Sequence, residues 1–523
     1  MNKALTKVQG IVIALIVVIA IAAGTYLLPQ LLKPTATPTT TTPTTPPTTT
    51  TPTTTPGWTT TPPTTTPITT PPTTPPTTIL PPGMALANIG GVDIRVPEEL
   101  KEFIDKCRVG EAGTVTIYLG TAMMSFEASI IEGLINKFNR EYPCIKVEYT
   151  NYAGQDQLKA AVDASNIVRR VGTGPDIFTW AHDWTGMYAD KGYIVALDDI
   201  LPRETIEDIA GNYMSSAVSA ATYKLKIYGL PWAAEAIALV INKDLVPNPP
   251  RTLSEMLTIM SSFHNPSEDK YGLAYQIDAY HVYPWVSLFN GYYFDDYTFS
   301  VGVNTTETKS GIEFFVRNIL PYLDYRDLGH ENQLTIFTDG RAPMIITGPW
   351  NIPRIKSALG EEKITVIPIP KLNDTHVPKP FSGIKLFWMT QLSLLGEQPE
   401  RKYANLLFIT WFTLSDEALM TLVSQAGFIP VKTALLTKIT NYPIVHGFAQ
   451  AVFNSVPMPK DKRMSAVWQI GDYLSAIITE YTNARVQGKS VDEAVSIAVE
   501  SISPKLNEAY SIIVDTIRRT YGG

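Results

Sequence analysis

The chain has 523 residues, 42 Lys and Arg against 49 Asp and Glu, 45% hydrophobic residues and only 2 Cys. Lys3, Lys7 and Lys33 are the only charged side chains before residue 84, so the rest of the sequence carries 39 basic against 49 acidic residues, a net of −10. That balance, with no basic cluster, excludes a nucleic-acid or polyanion binder. Two cysteines exclude a metal cage or a disulfide-rich scaffold, and the length calls for two or more lobes.

Residues 11–28, IVIALIVVIAIAAGTYLL, are uncharged and long enough for roughly 30 Å of hydrocarbon. Lys3 and Lys7 precede them, which places the N-terminus in the cytoplasm and the rest outside. Residues 1–32 therefore read as an N-terminal signal or membrane-anchor helix. Ala20-Ile21-Ala22 also offers a cleavage site for a secretory signal, and the opening Lys3-Ala4-Leu5-Thr6 before an apolar run resembles the pilin-type signals of archaeal surface proteins. No cysteine lies near the N-terminus to carry a lipid.

Residues 33–83 are almost wholly Thr and Pro, with too few apolar side chains to offset the entropy of ordering. They read as a disordered, PPII-like stalk of the kind that carries O-linked glycans, reaching on the order of 150 Å.

The body begins near Gly83. Residues 84–112 form an extension with a short helix in PEELKEFIDKCRV, followed by a strand at Thr114–Gly120. Ile130, Ile131, Leu134, Ile135 and Phe138 keep the spacing of an amphipathic helix, and 144–149 alternate as a second strand. Strand, helix, strand is a βαβ unit, so an α/β fold is expected.

Cys107 and Cys144 each precede one of these parallel strands, on the same side of the sheet. A disulfide is geometrically feasible and would persist outside the cell; two buried thiols are the alternative. Asn304-Thr-Thr306 and Asn373-Asp-Thr375 are sequons for N-glycosylation.

Catalytic and cofactor signatures are missing. The chain has no G-x-S-x-G elbow, phosphate loop or full G-x-G-x-x-G, and its six His are scattered without metal-ligand spacing. No metal or cofactor is expected. Aromatic residues make up 10% of the chain, many beside acids, and sugars need that mixture. Their CH faces pack on rings while their hydroxyls bond to carboxylates.

The run Gly174-Pro-Asp-Ile-Phe-Thr-Trp180-Ala-His-Asp183-Trp184 is followed by Tyr228-Gly-Leu-Pro-Trp-Ala-Ala-Glu235, Asp278-Ala-Tyr280, Gly348-Pro-Trp350, Lys379-Pro-Phe-Ser-Gly383, Ser415-Asp-Glu417, Met464-Ser-Ala-Val-Trp468 and Gly488-Lys-Ser-Val-Asp-Glu-Ala494. In order and spacing these blocks closely resemble the maltose/maltodextrin-binding proteins, the extracellular solute receptors of ABC sugar importers.

The resemblance implies a non-enzymatic receptor with a two-lobed periplasmic-binding-protein-like fold of type II. Residues 113–233 and 387–440 would form one lobe and 234–386 and 441–523 the other, with hinge and cleft between. It also implies a maltodextrin-type oligosaccharide as ligand, the permease subunits of a transporter as partner, and a monomer at the outer face of the membrane.

Residue by residue, Trp180 is expected to stack on sugar and Asp183 to bind hydroxyls. Glu235, Asp278 and Tyr280 supply further polar contacts, and Trp350 and Trp468 two more aromatic platforms. Trp184 stands where the family has an arginine, and Asp278 where it more often has Glu. The loop after the first strand, Thr121–Glu127, is longer than the family's and lacks its lysine; Glu127 is the acid available there. Trp232 and Trp285 read as core residues.

A purely structural stalked surface protein conflicts with these cleft motifs, which leaves two rival readings. One is a receptor for another sugar, such as trehalose or a cyclic dextrin. The other is a surface glycosidase using two of Asp183, Glu235 and Asp278.

Overall fold

The computed structural model describes residues 80–522. The expected anchor and all but the end of the expected stalk lie outside the described residues. Among the described residues no single helix is long and apolar enough to cross a membrane.

The described chain opens with an antiparallel hairpin, β1 (Met84–Ile89) and β2 (Val92–Pro97), followed by the helix Glu98–Arg108. Then come β3 (Val115–Thr121), β4 (Ile145–Asn151) and β5 (Ile177–Ala181), and a small ribbon of β6 (Thr222–Tyr223) and β7 (Lys226–Ile227). Next are β8 (Gly229–Ala236), β9 (Ala238–Asn242), β10 (Ala274–Tyr275), β11 (Met344–Thr347) and β12 (Ile364–Ile367). The last three are β13 (Phe381–Met389), β14 (Ile429–Pro430) and β15 (Val456–Pro457).

Two sheets organise the two lobes. The first runs β14-β8-β13-β5-β3-β4, with β15 beside the start of β13; the second runs β10-β11-β9-β12. In the first sheet β3 is parallel to β4 and β5, and β13 is antiparallel to β5 and β8.

Burial follows position. Edge strand β4 alternates buried Ile145 and Val147 with exposed Lys146 and Glu148, whereas every residue of interior β8 is buried. Helices covering both faces of a sheet remove the alternation from its inner strands. The helix predicted around 130–138 runs over Ser125–Glu141, burying Ile130, Ile131, Leu134, Ile135 and Phe138 on one stripe.

The chain passes between the lobes at three places. β8 of the first sheet ends at Ala236, and β9 of the second begins two residues later at Ala238. β13 itself starts in the second apolar core at Phe381 and enters the first from Ile384 onward. The third passage is the helix Pro443–Phe453, which packs on both β8 and β12, and then β15, after which Met458 and Met464 belong to the second core.

The 84–112 extension is fastened to the first lobe. Cys107, at the end of its helix, forms a disulfide with Cys144 ahead of β4, with a Cα–Cα distance of 5.1 Å. Arg95 pairs with Asp208 at 2.6 Å, and Arg108 donates to the Tyr142 hydroxyl at 2.7 Å. Deeper in the lobe, buried Asp176 of the Gly-Pro-Asp run pairs with buried Arg401 and accepts from the Tyr118 amide at 3.0 Å. The Ser415-Asp-Glu417 block begins a helix, with Ser415 Oγ accepting from the Ala418 amide at 3.2 Å.

Candidate functional site

Trp180 sits at the end of β5, where the strand turns into a short 3₁₀ segment that carries His182, Asp183 and Trp184. Trp184 stacks on Trp180, with ring centroids 5.4 Å apart and planes 27° apart. It is only 7% exposed and contacts Phe178 and Tyr188 in the first core. In that place it backs the Trp180 ring, and it is as enclosed as Glu235.

Asp183 joins the lobes directly. Its Oδ2 accepts from Trp468 Nε1 at 3.3 Å, while its Oδ1 has no protein partner. Burial pushes its pKa up to about 7, opposed by the Trp468 bond and raised further by the Glu235 charge.

Glu127 lies in the first turn of Ser125–Glu141, only 4% exposed. Its Oε2 accepts from the Met124 amide at 3.2 Å and its Oε1 is unpartnered. Burial pushes this pKa too up to about 7, against the nearby charge of Lys385.

Glu235, near the end of β8, is held by Lys385 of β13, whose Nζ lies 3.0 Å from Oε2. The strand register explains the pair: Gly383 is opposite Glu235 and Lys385 opposite Ala233, so the two side chains are diagonal neighbours on one face. A Cβ on Gly383 would sit 3.0 Å from Glu235 Oε1 and 3.2 Å from Met458 Cε. Glycine there leaves the carboxylate room to lie across the strand.

The second lobe supplies a ladder of rings. Trp350 lies 6.5 Å from Tyr280, Tyr280 stacks on Phe381 at 6.3 Å, and Phe381 meets Trp468 edge-on at 5.8 Å. Gly348 lets the Trp350 ring fold back over the backbone, since a Cβ there would come within 2.1 Å of the indole. The Tyr280 hydroxyl donates to the Phe381 carbonyl at 3.1 Å. Its pKa is pushed well above the ordinary phenol value, first by burial and then by the Glu235, Asp278 and Asp183 charges.

Asp278 caps the helix Ala279–Leu288 through the His281 amide at 2.9 Å and pairs with the His281 ring at 2.9 Å. Burial alone would raise its pKa, but the His281 contacts and Gln276 hold it below the usual carboxylate range.

The structure therefore brings Glu127, Trp180, Asp183, Glu235, Tyr280, Trp350 and Trp468 around one interlobe region, with Asp278 joined to it through His281 and Tyr280. Trp232 and Trp285 are buried in the two cores, and Trp232 Nε1 donates to Thr179 Oγ1 at 2.9 Å. Asn373 occupies an exposed turn and Asn304 a half-buried one. Among the described residues no three His, Cys, Asp or Glu side chains are grouped to hold a metal ion.

Sequence reasoning missed three residues. Lys385 had one available signal: it is the only charge in the β13 run FSGIKLFWM. His281 stands three residues after Asp278, in reach of a helix-capping carboxylate. His182 gave no signal, because its partners are 202 and 276 residues away: Nδ1 accepts from the Ile384 amide at 3.0 Å and Nε2 donates to the Met458 carbonyl at 2.9 Å.

Two α/β lobes joined by three passages, with acids and aromatic rings meeting between them, define a hinged ligand-binding protein. Residues 133–446 match the family model described as bacterial extracellular solute-binding protein. The chain is 33% identical over 362 residues to a maltotriose-binding protein of Pyrococcus abyssi, covering 68% of this chain and 76% of that one. It is 24% identical over 391 residues to a galactooligosaccharide-binding protein of Bacillus subtilis, covering 72% and 87%.

Among solved structures, a cyclo/maltodextrin-binding protein in complex with maltotetraose superposes with a TM-score of 0.61 at 24% identity, covering 78% of this chain and 99% of that one. A maltose/maltodextrin-binding domain of Bdellovibrio bacteriovorus bound to maltotriose gives 0.62 at 19%, covering 75% and 99%. The chain belongs to the extracellular solute-binding protein family, and it is a binding protein, not an enzyme.

Proposed function

We propose that the protein is a cell-surface receptor that captures maltodextrin-type oligosaccharides and delivers them to the permease of an ABC importer. The observation that carries this is the meeting, across the lobes, of three carboxylates with the rings of Trp180 and Trp468, linked through the Asp183 to Trp468 hydrogen bond. Rings pack on the CH faces of glucose units and carboxylates accept from their hydroxyls. The maltotriose- and maltodextrin-binding relatives and neighbours support the same ligand class.

Sugar bridges both walls only when the lobes shut, so occupancy is converted into a closed shape that a permease can distinguish. On this reading residues 11–28 hold the receptor at the membrane, 33–83 space it outward, and it works as a monomer. Glu127, Trp180, Asp183, Trp184, Glu235, Asp278, Tyr280, Trp350 and Trp468 form the ligand site, with Trp184 stacked behind Trp180. Asn304 and Asn373 are its glycosylation candidates.

Calorimetric titration with maltose, maltotriose, longer maltodextrins, trehalose and a galactooligosaccharide tests the reading. Tight one-to-one binding of an α-glucan, recovered intact, supports it. No heat with any glucan overturns it, and binding of the galactooligosaccharide alone reassigns the sugar.

A further inference from the structure

Lys385 occupies an unusual place. It is the only charge in a nine-residue strand of which every other residue is buried, and its own side chain is 13% exposed. An ammonium in such a setting needs partners. Among the described residues its one ion-pair partner is Glu235, at 3.0 Å, with the Trp180 ring centroid 5.4 Å and the Phe428 centroid 5.5 Å away. An ammonium carries three N–H donors, and one carboxylate does not use them all. The Glu127 charge also lies close enough to interact with it.

Two carboxyl oxygens of the same region, Glu127 Oε1 and Asp183 Oδ1, are also buried without protein partners. A sugar hydroxyl both donates and accepts, and ring and glycosidic oxygens only accept. Lys385 is the cation placed here, so it can donate to sugar oxygens that only accept, whatever the charge on those acids.

We propose that Lys385 is a specificity-determining residue of the cleft: its ammonium donates to an oxygen of the sugar unit packed at Trp180 while Glu235 accepts from the adjoining hydroxyl. The pair then reads two neighbouring oxygens at once. Its position at the passage of β13 between the lobes puts this contact at the hinge end of the cleft. The inference rests on the sugar-binding reading above.

The test is titration of the full-length chain in detergent with maltotriose and with a panel of its monodeoxy analogues, using wild type, Lys385→Met and Lys385→Arg. Loss of a hydrogen bond to a charged donor predicts about tenfold to a hundredfold weaker maltotriose binding by Lys385→Met, with partial recovery in Lys385→Arg. One deoxy analogue that binds wild type weakly should bind Lys385→Met no worse than maltotriose does, because the contact it lacks is already gone.

Equal maltotriose affinity in wild type and Lys385→Met would overturn the proposal. So would the same penalty for every analogue in both proteins, since Lys385 would then act only by holding Glu235. If Lys385→Met does not fold, the analogue panel on Lys385→Arg decides, because a displaced donor must change which analogue is penalised. A wild type that binds no glucan defeats the sugar reading itself, and this inference with it.

Discussion

The His182 imidazole should make stability depend on pH in a way that one substitution removes. It is 1% exposed and joins three segments: its own 3₁₀ turn after β5, the Ile384 amide in β13 and the Met458 carbonyl beyond β15. Because Nδ1 accepts from an amide, the proton resides on Nε2 and the ring is neutral. Burial first, and the Lys460 charge second, pull its pKa from 6.5 down to about 4.

The unfolded chain therefore takes up a proton near pH 6.5 that the folded chain refuses until about pH 4. The neutral pin contributes its full stability above pH 6.5 and loses it as pH falls toward 4, by about 3 kcal/mol for this separation. Burial of Glu127 and Asp183 acts the opposite way, since carboxyls raised to about 7 favour the folded state at low pH and lose that contribution as pH rises through 7. Both terms are shared with a His182→Gln variant, whose amide can donate and accept but does not titrate, so they cancel in the difference.

Urea unfolding of both proteins at pH 7 and pH 4.5 measures it. Wild type should lose about 2–3 kcal/mol more than His182→Gln between the two. Parallel pH profiles would refute the argument that this ring is held neutral.

Truncating either aromatic platform, Trp350→Ala or Trp468→Ala, should weaken maltodextrin binding at least about tenfold with unchanged circular dichroism, measured by titration calorimetry. Asp176→Ala leaves Arg401 buried without its partner, and denaturant unfolding should show a loss of about 3–5 kcal/mol. Opening the Cys107–Cys144 bridge, which spans 37 residues, should cost about 3–4 kcal/mol of stability; a Cys107→Ala, Cys144→Ala double variant tests this by thermal and chemical unfolding, with sugar affinity retained.

The parts of the site that could be read in advance share one property: each announces itself within a few residues. Trp180 and Asp183 lie together after an apolar strand, Asp278 and Tyr280 stand at a helix start, and Trp350 follows a Gly-Pro turn. The βαβ unit was legible for the same reason, through periodicity in adjacent segments. Lys385 and His182 were not, because their roles depend on strand pairing between distant parts of the chain. Without the β8–β13 register there is no reason to set Lys385 beside Glu235, and without the third passage His182 has no carbonyl to meet. Trp184 illustrates a subtler limit: a motif fixes which residues turn off the strand end, but only the packing of Phe178 and Tyr188 against the ring decides that it lies beneath Trp180.

On the proposed reading, the acids let fold and ligand share one set of atoms. Asp183 has one oxygen held by Trp468 and the other free, and Glu127 has one held by a backbone amide and the other free. A single protein bond fixes each carboxyl's rotamer and leaves one oxygen already stripped of water, so a hydroxyl that reaches it meets an acceptor whose ordering and desolvation costs are borne by folding. The Asp183 bond comes from the opposite lobe, which makes that readiness conditional. If the lobes part, Trp468 withdraws and Asp183 is free to turn toward water. On the proposed reading, the aromatic wall and the acid it orients form a competent site together only in the shut arrangement, which would tie sugar affinity to closure through one identifiable hydrogen bond.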